Sequence, residues 1–563
     1  MKPDPETLPR TQCAVQLVGP GELKLNTDKE VPTPGPHQVL VRIEVVGLCF
    51  SDLKLLKQFD RHVRKGPIVS GVPKEVLAEI PSYVPGKAAT VPGHEAVCRI
   101  VAVGDKVRSH QVGERCLVGT DYRALKTAES NAAFGYNFEG ALQEYVLMDE
   151  RVIVDPDGER FLLPVSDDLS ASAVALVEPW ACVEDSYVNA ERQAIKAGGR
   201  MLVVAEAGRR IDGGSWPLDP GGRPASVTAI CADAGQRESL AKLGVPVTAA
   251  DDPAAVPDET FDDILYFGAR KQVIEVLNDK LAARGVICLV LGGEKIGAPV
   301  SIGVGRAHYG RTRWVGTTGD DPADAYATIS ATGEVRDGDR ILIVGAGGPM
   351  GQMHVIRDIC SGSRDLSIIG TDLDDGRLES LRTKAEPLAA ANDVSLELVN
   401  TQETPVAGKF TYVVVMAPVP QLVADAVALA APGCRINLFA GIPSSVRHEI
   451  DLDAYVANRC FLFGTSGSVM NDMKIVLEKV QAGTLDTNAS VDAVCGMAGA
   501  ADGMAAVENR TLAGKIVVYP MLRNVGLIPL TKLGDHFPSV TGKLRNGAWC
   551  KAAEDELLKV AGR

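Results

Sequence analysis

The middle of this sequence repeats itself. The stretch from Phe261 to Gly319 reads FDDILYFG, GVICLVLGG and RWVGTTG, and the stretch from Phe410 to Gly467 reads FTYVVVMA, GCRINLFAG and FLFGTSG. Gly433 follows Gly285, and Gly464 follows Gly316, by the same 148 positions. Upstream, MLVVAEAG (201–208) pairs with ILIVGAGG (341–348), and Asp233 pairs with Asp372. Each copy alternates short apolar runs with helical spacing, the pattern of parallel strands joined by crossover helices. A chain with two such units is committed to an α/β architecture with two tandem doubly wound parallel sheets.

At 563 residues the chain is too long for one core. Its opening is of another kind. QVLVRIEVVGLC, AVCRIVAVGDKV (96–107) and ALQEYVLMDERVIV (141–154) are short alternating runs broken by Pro and Gly, which predicts a β-rich first domain. The expected divisions are 1–195 for that domain, 196–335 and 336–485 for the two repeats, 486–520 for a return segment, and 521–563 for a C-terminal extension. The extension ends in an amphipathic helix that either covers the core or crosses to a partner subunit.

The formal net charge of −14 disfavours nucleic acid, which needs a basic face. No apolar run approaches the roughly 18 residues of a membrane span, and no apolar leader follows the N-terminus. The 12 cysteines are scattered without a Cys-x-x-Cys pair, which suits reduced thiols and a cytoplasmic location.

The second repeat carries a phosphate loop. ILIVGAGGPMGQMHVIRDIC reads as a strand, a glycine turn and a helix of Rossmann type. Gly345, Gly348 and Gly351 are spaced one residue wider than G-x-G-x-x-G unless Gly347 is counted. Such glycines let the backbone approach a pyrophosphate seated on the helix amides, and Pro349 and Met350 suit a first helical turn, where N–H groups are spare. Asp372 ends the next strand, where a carboxylate accepts ribose hydroxyls and repels a 2′-phosphate. That favours NAD over NADP, with Arg377 close enough to blunt the preference. In the first copy the glycine turn is replaced by AGRRIDGGSWPLDPGG, which reads as a unit that has lost ordinary dinucleotide binding and serves structure or substrate enclosure, a second bound nucleotide being the alternative.

Three residues in the flanking domain have the chemistry of an open zinc site: Cys49 in Gly-Leu-Cys-Phe-Ser-Asp, His94 in Pro-Gly-His-Glu, and Glu178 in Val-Glu-Pro-Trp-Ala-Cys. A thiolate, an imidazole and a carboxylate leave the fourth tetrahedral position for substrate. Ser51 is placed to take a substrate hydroxyl proton and Asp52 to hold His94. Glu95 reads as a neighbouring carboxylate or an alternative ligand. Singly, each has an ordinary reading as a core thiol, a turn histidine or a helix-end charge.

These motifs resemble the zinc-dependent medium-chain alcohol and polyol dehydrogenases. FGYNFEGALQEYVLM (134–148), EPWACVEDSY (178–187) and GAGGPMGQMHV (345–355) are most similar to the L-sorbose-1-phosphate reductase group. The resemblance implies a GroES-like catalytic domain, one catalytic zinc on Cys49, His94 and Glu178, Ser51 relaying the proton, and a homo-dimer or homo-tetramer. Three departures stand out. Residues 116–140 hold only Cys116, so no structural zinc is expected. Lys54 replaces the usual outer histidine. The first repeat is an additional unit.

Zinc and NAD together imply alcohol–ketone interconversion on a polyol, sugar or sugar phosphate. Between Cys49 and His94, Arg61, His62, Arg64 and Lys65 form a basic segment, either a solvated loop or a phosphate clamp, and Tyr122, Arg123 and Tyr136 are expected near it. A redox-neutral epimerase or lyase with retained NAD, and a non-catalytic dinucleotide sensor, are the alternatives.

Overall fold

The computed structural model describes residues 8–212 and 216–562. The chain forms two compact units, one from the stretch up to Glu184 with that from Ser468 onward, the other from Asp185 to Gly467. Both junctions fall earlier than the sequence suggests. Helix Met470–Gln481, expected in the second repeat, is tied into the first unit by Lys474 on Glu159 at 2.7 Å and Lys479 on Glu184 at 2.6 Å.

The first unit is β-rich. Its eight-stranded sheet runs Ile528–Pro529, Val491–Cys495, Lys515–Val518, Gln38–Gly47, Glu95–Val103, Arg115–Val118 and Leu162–Pro164, with Tyr145–Asp149 also paired to Gln38–Gly47. The central strand QVLVRIEVVG is buried at eight of its ten positions, which its Val/Ile content explains. Val41, Ile43, Cys98, Val118, Cys495 and Val518 contribute to one core, so the return segment completes the sheet begun near the N-terminus.

The C-terminal extension covers this unit. Glu554, 2% exposed, accepts the backbone amides of Ala171 and Ser172 at 2.5 and 2.8 Å, capping helix Ala171–Ala175. Trp549 Nε1 donates to Ser172 Oγ at 3.1 Å. Earlier in the extension, Arg523 forks onto buried Glu144 at 2.5 and 2.6 Å.

The second unit is built on a twelve-stranded sheet, with a separate two-stranded ribbon of Val300–Ile302 and His448–Ile450. One half runs Val247–Ala249, Ser226–Cys231, Arg200–Ala205, Phe261–Phe267, Leu281–Val290, Arg313–Thr317. The other continues Phe461–Phe463, Ala430–Leu438, Phe410–Val415, Arg340–Val344, Ser367–Asp372, Ser395–Asn400. Numbered in chain order within each half, both read 3-2-1-4-5-6 from the outer edge to the seam, the doubly wound order. Strands inside each half are parallel. At the seam, Trp314 pairs antiparallel with Leu462. Near-continuous apolar strands such as MLVVA and TYVVV fit a sheet covered on both faces. Among the described residues no helix is long and apolar enough to cross a membrane.

Candidate functional site

Strand Gln38–Gly47 delivers Cys49 to the N-cap of helix Phe50–Gln58. Asp52 then closes that helix end: its Oδ2 accepts the Cys49 amide at 3.0 Å and its Oδ1 the Gly93 amide at 3.2 Å. The same Oδ1 lies 3.0 Å from His94 Nδ1, so one buried carboxylate fixes both the turn before His94 and the ring itself. With Nδ1 engaged, Nε2 is the ring nitrogen left to face an ion. Burial alone would lower the His94 pKa, but the charge and hydrogen bond of Asp52, together with Tyr136 and Cys49, outweigh it and hold the ring well above its usual value.

The donor atoms of Cys49, His94 and Glu95 all lie within 4.8 Å of one another. Ser51 Oγ donates to Cys49 Sγ at 3.1 Å and sits 3.1 Å from His94 Nε2. Glu95 follows His94 at the start of strand Glu95–Val103 and is fully buried. Its Oε1 accepts from Lys515 Nζ at 2.5 Å, while its Oε2 is buried with no hydrogen-bond partner. A Cβ at Gly47 would lie 2.1 Å from that oxygen, so only glycine leaves it room. An orphaned buried carboxylate oxygen beside a thiol and an imidazole is a donor set that fits zinc.

Glu178, the expected third ligand, stands outside this trio, and Glu95, expected as neighbour or substitute, stands within it. Glu178 lies in helix Val177–Val188, where its Oε1 is 3.5 Å from Thr120 Oγ1. Burial pushes its carboxyl up to about 7, with Glu95 and Asp121 adding to the rise and His94 opposing it. It is a neighbour of the cluster, near enough to feel its charges.

Lys515 had no place in the sequence reading. It enters from 420 residues downstream, heading strand Lys515–Val518, and also donates to the Leu48 carbonyl at 2.8 Å. Burial would lower its pKa, yet Glu95, then Cys49, hold it above the usual lysine value. The only sequence signal was a lysine leading the apolar run KIVV, since buried lysines are almost always paired.

The basic segment does not form a free clamp. Lys65 is fully buried, donating to the carbonyls of Val84 and Ala88, and burial pushes it down to about 8. Arg64 forks onto Asp121 at 2.6 and 3.1 Å with its guanidinium over the Tyr136 ring, 5.6 Å from the centroid. His62 lies 5.0 Å from the same ring; burial first, then the Arg64 charge, push it down to about 4. Arg61 is exposed. Tyr136 does lie beside the Cys49–His94–Glu95 cluster, 5.7 Å from the His94 ring, and burial pushes its hydroxyl up to about 12. Tyr122 instead packs edge-on against Phe138 and Phe161, and Arg123 reaches the Ser468 carbonyl.

In the second unit, strand Arg340–Val344 ends at Gly345 with φ +88°, a left-handed turn glycine tolerates. Gly348 is the N-cap of helix Pro349–Ile359, which Pro349 and Met350 open. A Cβ at Gly351 would lie 2.2 Å from the Gly345 carbonyl oxygen, so the helix can close on the strand only with glycine there. Gly347 donates to Asp372 Oδ2 at 3.0 Å and Leu373 to Asp372 Oδ1 at 2.8 Å. Arg377, in the first turn of helix Asp375–Ala391, packs against Gly347. The Gly348 cap uses no side chain, leaving helix amides for a pyrophosphate, and Asp372 ends its strand as a ribose acceptor would. These residues fit a dinucleotide.

The first copy is built differently, and strand register corrects one pairing. Arg200 pairs with Ser226 and Ala205 with Cys231, as Arg340 pairs with Ser367 and Val344 with Thr371. Cys231 therefore occupies the place of Asp372. Asp233 corresponds to Asp374: both are N-caps of the following helices, Ala234–Ala241 and Asp375–Ala391. A two-residue offset between aspartates hid this in the sequence.

Residues 35–157 match the alcohol dehydrogenase GroES-like domain family. Mannitol-1-phosphate 5-dehydrogenase of Aliivibrio fischeri (strain ATCC 700601 / ES114) is 24% identical over 381 residues, 62% of this chain and 83% of that protein. The uncharacterized zinc-type alcohol dehydrogenase-like protein YphC of Escherichia coli (strain K12) is 29% identical over 208 residues, 35% of this chain and 51% of that protein. 2R,3R-butanediol dehydrogenase from Bacillus subtilis shares the fold with a TM-score of 0.50 at 14% identity, over 91% of this chain and 100% of that one. By these matches residues 35–157 form an alcohol dehydrogenase GroES-like domain, and the chain as a whole is similar to zinc-type alcohol dehydrogenases.

Proposed function

We propose that this protein is a zinc-dependent oxidoreductase that interconverts alcohol and ketone on a polyol, sugar or sugar phosphate, with NAD as redox partner. The observation that carries the reading is the convergence of Cys49, His94 and Glu95 within 4.8 Å, with a partnerless buried carboxylate oxygen among them. Zinc, when bound, supplies a Lewis acid that acidifies an alcohol, and NAD supplies the hydride acceptor. Cys49 would hold the ion as thiolate, His94 through Nε2, and Glu95 through Oε2, with Glu178 the neighbouring carboxylate able to exchange with it. Asp52 fixes the His94 tautomer. Lys515 offsets the charge of Glu95 and keeps its other oxygen turned inward. The Ser51 hydroxyl, beside both Cys49 and His94, is the group placed to take the substrate proton.

Asp372 favours NAD over NADP, since a 2′-phosphate would meet its carboxylate. A sugar phosphate is the finer reading, supported by the motifs resembling the L-sorbose-1-phosphate reductase group and by the relative that acts on mannitol 1-phosphate. Arg64 lies over the Tyr136 ring, and a phosphate would have to compete with Asp121 for it.

The test combines metal analysis with turnover. One zinc per chain is expected, with zinc and activity both lost in Cys49→Ser and His94→Ala. Full zinc content in both variants would sink the reading. Comparing Glu95→Gln with Glu178→Gln identifies the third donor: the ligand's variant should lose zinc about 10- to 100-fold more readily.

A further inference from the structure

We infer that residues 200–317 are a built-in, nucleotide-free partner for the nucleotide unit at 340–463, so that one chain contains the two-fold pairing that two identical subunits would make. The pairing register carries this. Across the second unit's seam, Val300–Ile302 runs antiparallel to His448–Ile450, with Ser301 opposite Glu449. Trp314 lies opposite Leu462. In both, a residue faces its own counterpart in the other copy, 148 positions on (449 from 301, 462 from 314).

The neighbouring elements keep the same spacing. Helix Val304–Tyr309 is matched by Leu452–Ala457, again 148 positions later (452 from 304, 457 from 309). Their contacts are reciprocal. The start of the first helix meets the loop of the second copy, where Gly305 donates to the Val446 carbonyl and a Cβ on it would lie 2.0 Å from the Pro443 carbonyl oxygen. The start of the second helix meets the loop of the first copy, where the Ile296 and Gly297 amides donate to Asp453 at 2.9 and 2.8 Å. Self-facing residues and exchanged contacts define a two-fold, isologous interface. Copies related by simple stacking, as in a solenoid, would show neither. The seam is closed: Val300, Ile450, Trp314 and Leu462 are each 3% exposed or less.

The partner copy's cradle is filled by its own side chains. Ala205, Glu206 and Ala207 stand where the other copy has Gly345, Ala346 and Gly347. Glu206 takes the Tyr266 hydroxyl and Arg270 Nε, the latter at 2.8 Å. Gln236 bridges the carbonyls of Glu206 and Arg209 at 2.7 and 2.9 Å, and Arg209 donates to the Leu291 carbonyl at 2.5 Å. With Cys231 in place of Asp372, neither the close glycine approach nor the ribose carboxylate remains.

Two measurements on the full chain test this. The first rests on the nucleotide reading above: calorimetric titration with NAD⁺ should give one site per chain, lost in Gly351→Val and retained in Arg209→Ala. A second site, or a site lost in Arg209→Ala, overturns the inference; absence of all binding would sink the nucleotide reading instead and leave the decision to the second measurement. That one needs no nucleotide. The Tyr455 hydroxyl accepts the Leu462 amide and donates to the Trp314 carbonyl, both at 2.8 Å, so it bridges the seam. In Tyr455→Phe, hydrogen exchange should quicken about tenfold in both 313–317 and 461–463, with 226–231 and 367–372 unchanged. A second variant, Ser301→Glu opposite Glu449, should loosen 300–302 and 448–450 together and be rescued by adding Glu449→Lys. Loosening confined to one copy, or no rescue, overturns the pairing.

Discussion

The two glycine turns of the second unit start from the same architecture and end in opposite states. Each strand, Arg200–Ala205 and Arg340–Val344, pairs with a parallel neighbour on either side and feeds toward a helix whose N-cap is an aspartate after the next strand. In one copy, Gly345, Gly347 and Gly351 keep the backbone bare. In the other, Glu206, Arg209 and Gln236 fill the equivalent space with hydrogen bonds. The sheet depends on many interchangeable apolar side chains, whereas a phosphate cradle depends on a few positions where any Cβ is in the way. A fold can therefore be copied and kept while its binding site closes.

The sharpest way to break this contrast is Gly351→Val. The added side chain must displace the Gly345 carbonyl, and NAD⁺ affinity should fall about a hundredfold or more in a calorimetric titration. An unchanged affinity would mean the second turn is not the cradle. Asp372→Ala should cost about 10- to 100-fold in NAD⁺ affinity, the scale of a charged hydrogen-bonding group, and narrow the preference over NADP⁺. Its supposed counterpart should behave otherwise. Asp233→Ala removes the cap of helix Ala234–Ala241 and the acceptor of the Gly208 amide, so about 1 kcal/mol of stability should go with NAD⁺ affinity intact, read by denaturant titration alongside binding.

The smallest effect is in pH. Burial tends to raise the Glu206 pKa, but hydrogen bonds from Tyr266 and Arg270 outweigh it and leave it below the usual glutamate value. A lowered folded-state pKa contributes stability above the unfolded value, about 4.3, and loses it as pH falls through the folded value. Glu206→Gln should remove that acid-side loss, a few tenths of a kcal/mol after solvent screening, measured as melting temperature against pH. Equal acid-side slopes in variant and parent would remove Glu206 from the plug.

Local motifs were legible in the sequence, and relations between distant segments were not. Cys49, Ser51, Asp52 and His94 occupy two short motifs, and the structure brings them together as a strand end, a helix N-cap and a turn. The duplication was visible because apolar periodicity survives substitution. Lys515 was invisible because its partner is remote, and Glu178 was ranked above Glu95 because sequence shows two carboxylates beside ligand motifs without showing which one lies against Cys49 and His94. The basic segment misled for the same reason: Arg64 owes its position to Asp121, 57 residues further on.

The Lys515–Glu95 contact joins residues 420 positions apart. During synthesis, the N-terminal thiol, imidazole and carboxylate leave the ribosome long before the lysine that offsets that carboxylate. Until residue 515 and the strand it heads have emerged, the nascent chain lacks both a counter-ion and a sheet neighbour at this spot. Metal loading should therefore be among the last events of this polypeptide's maturation, after the middle of the chain has already folded.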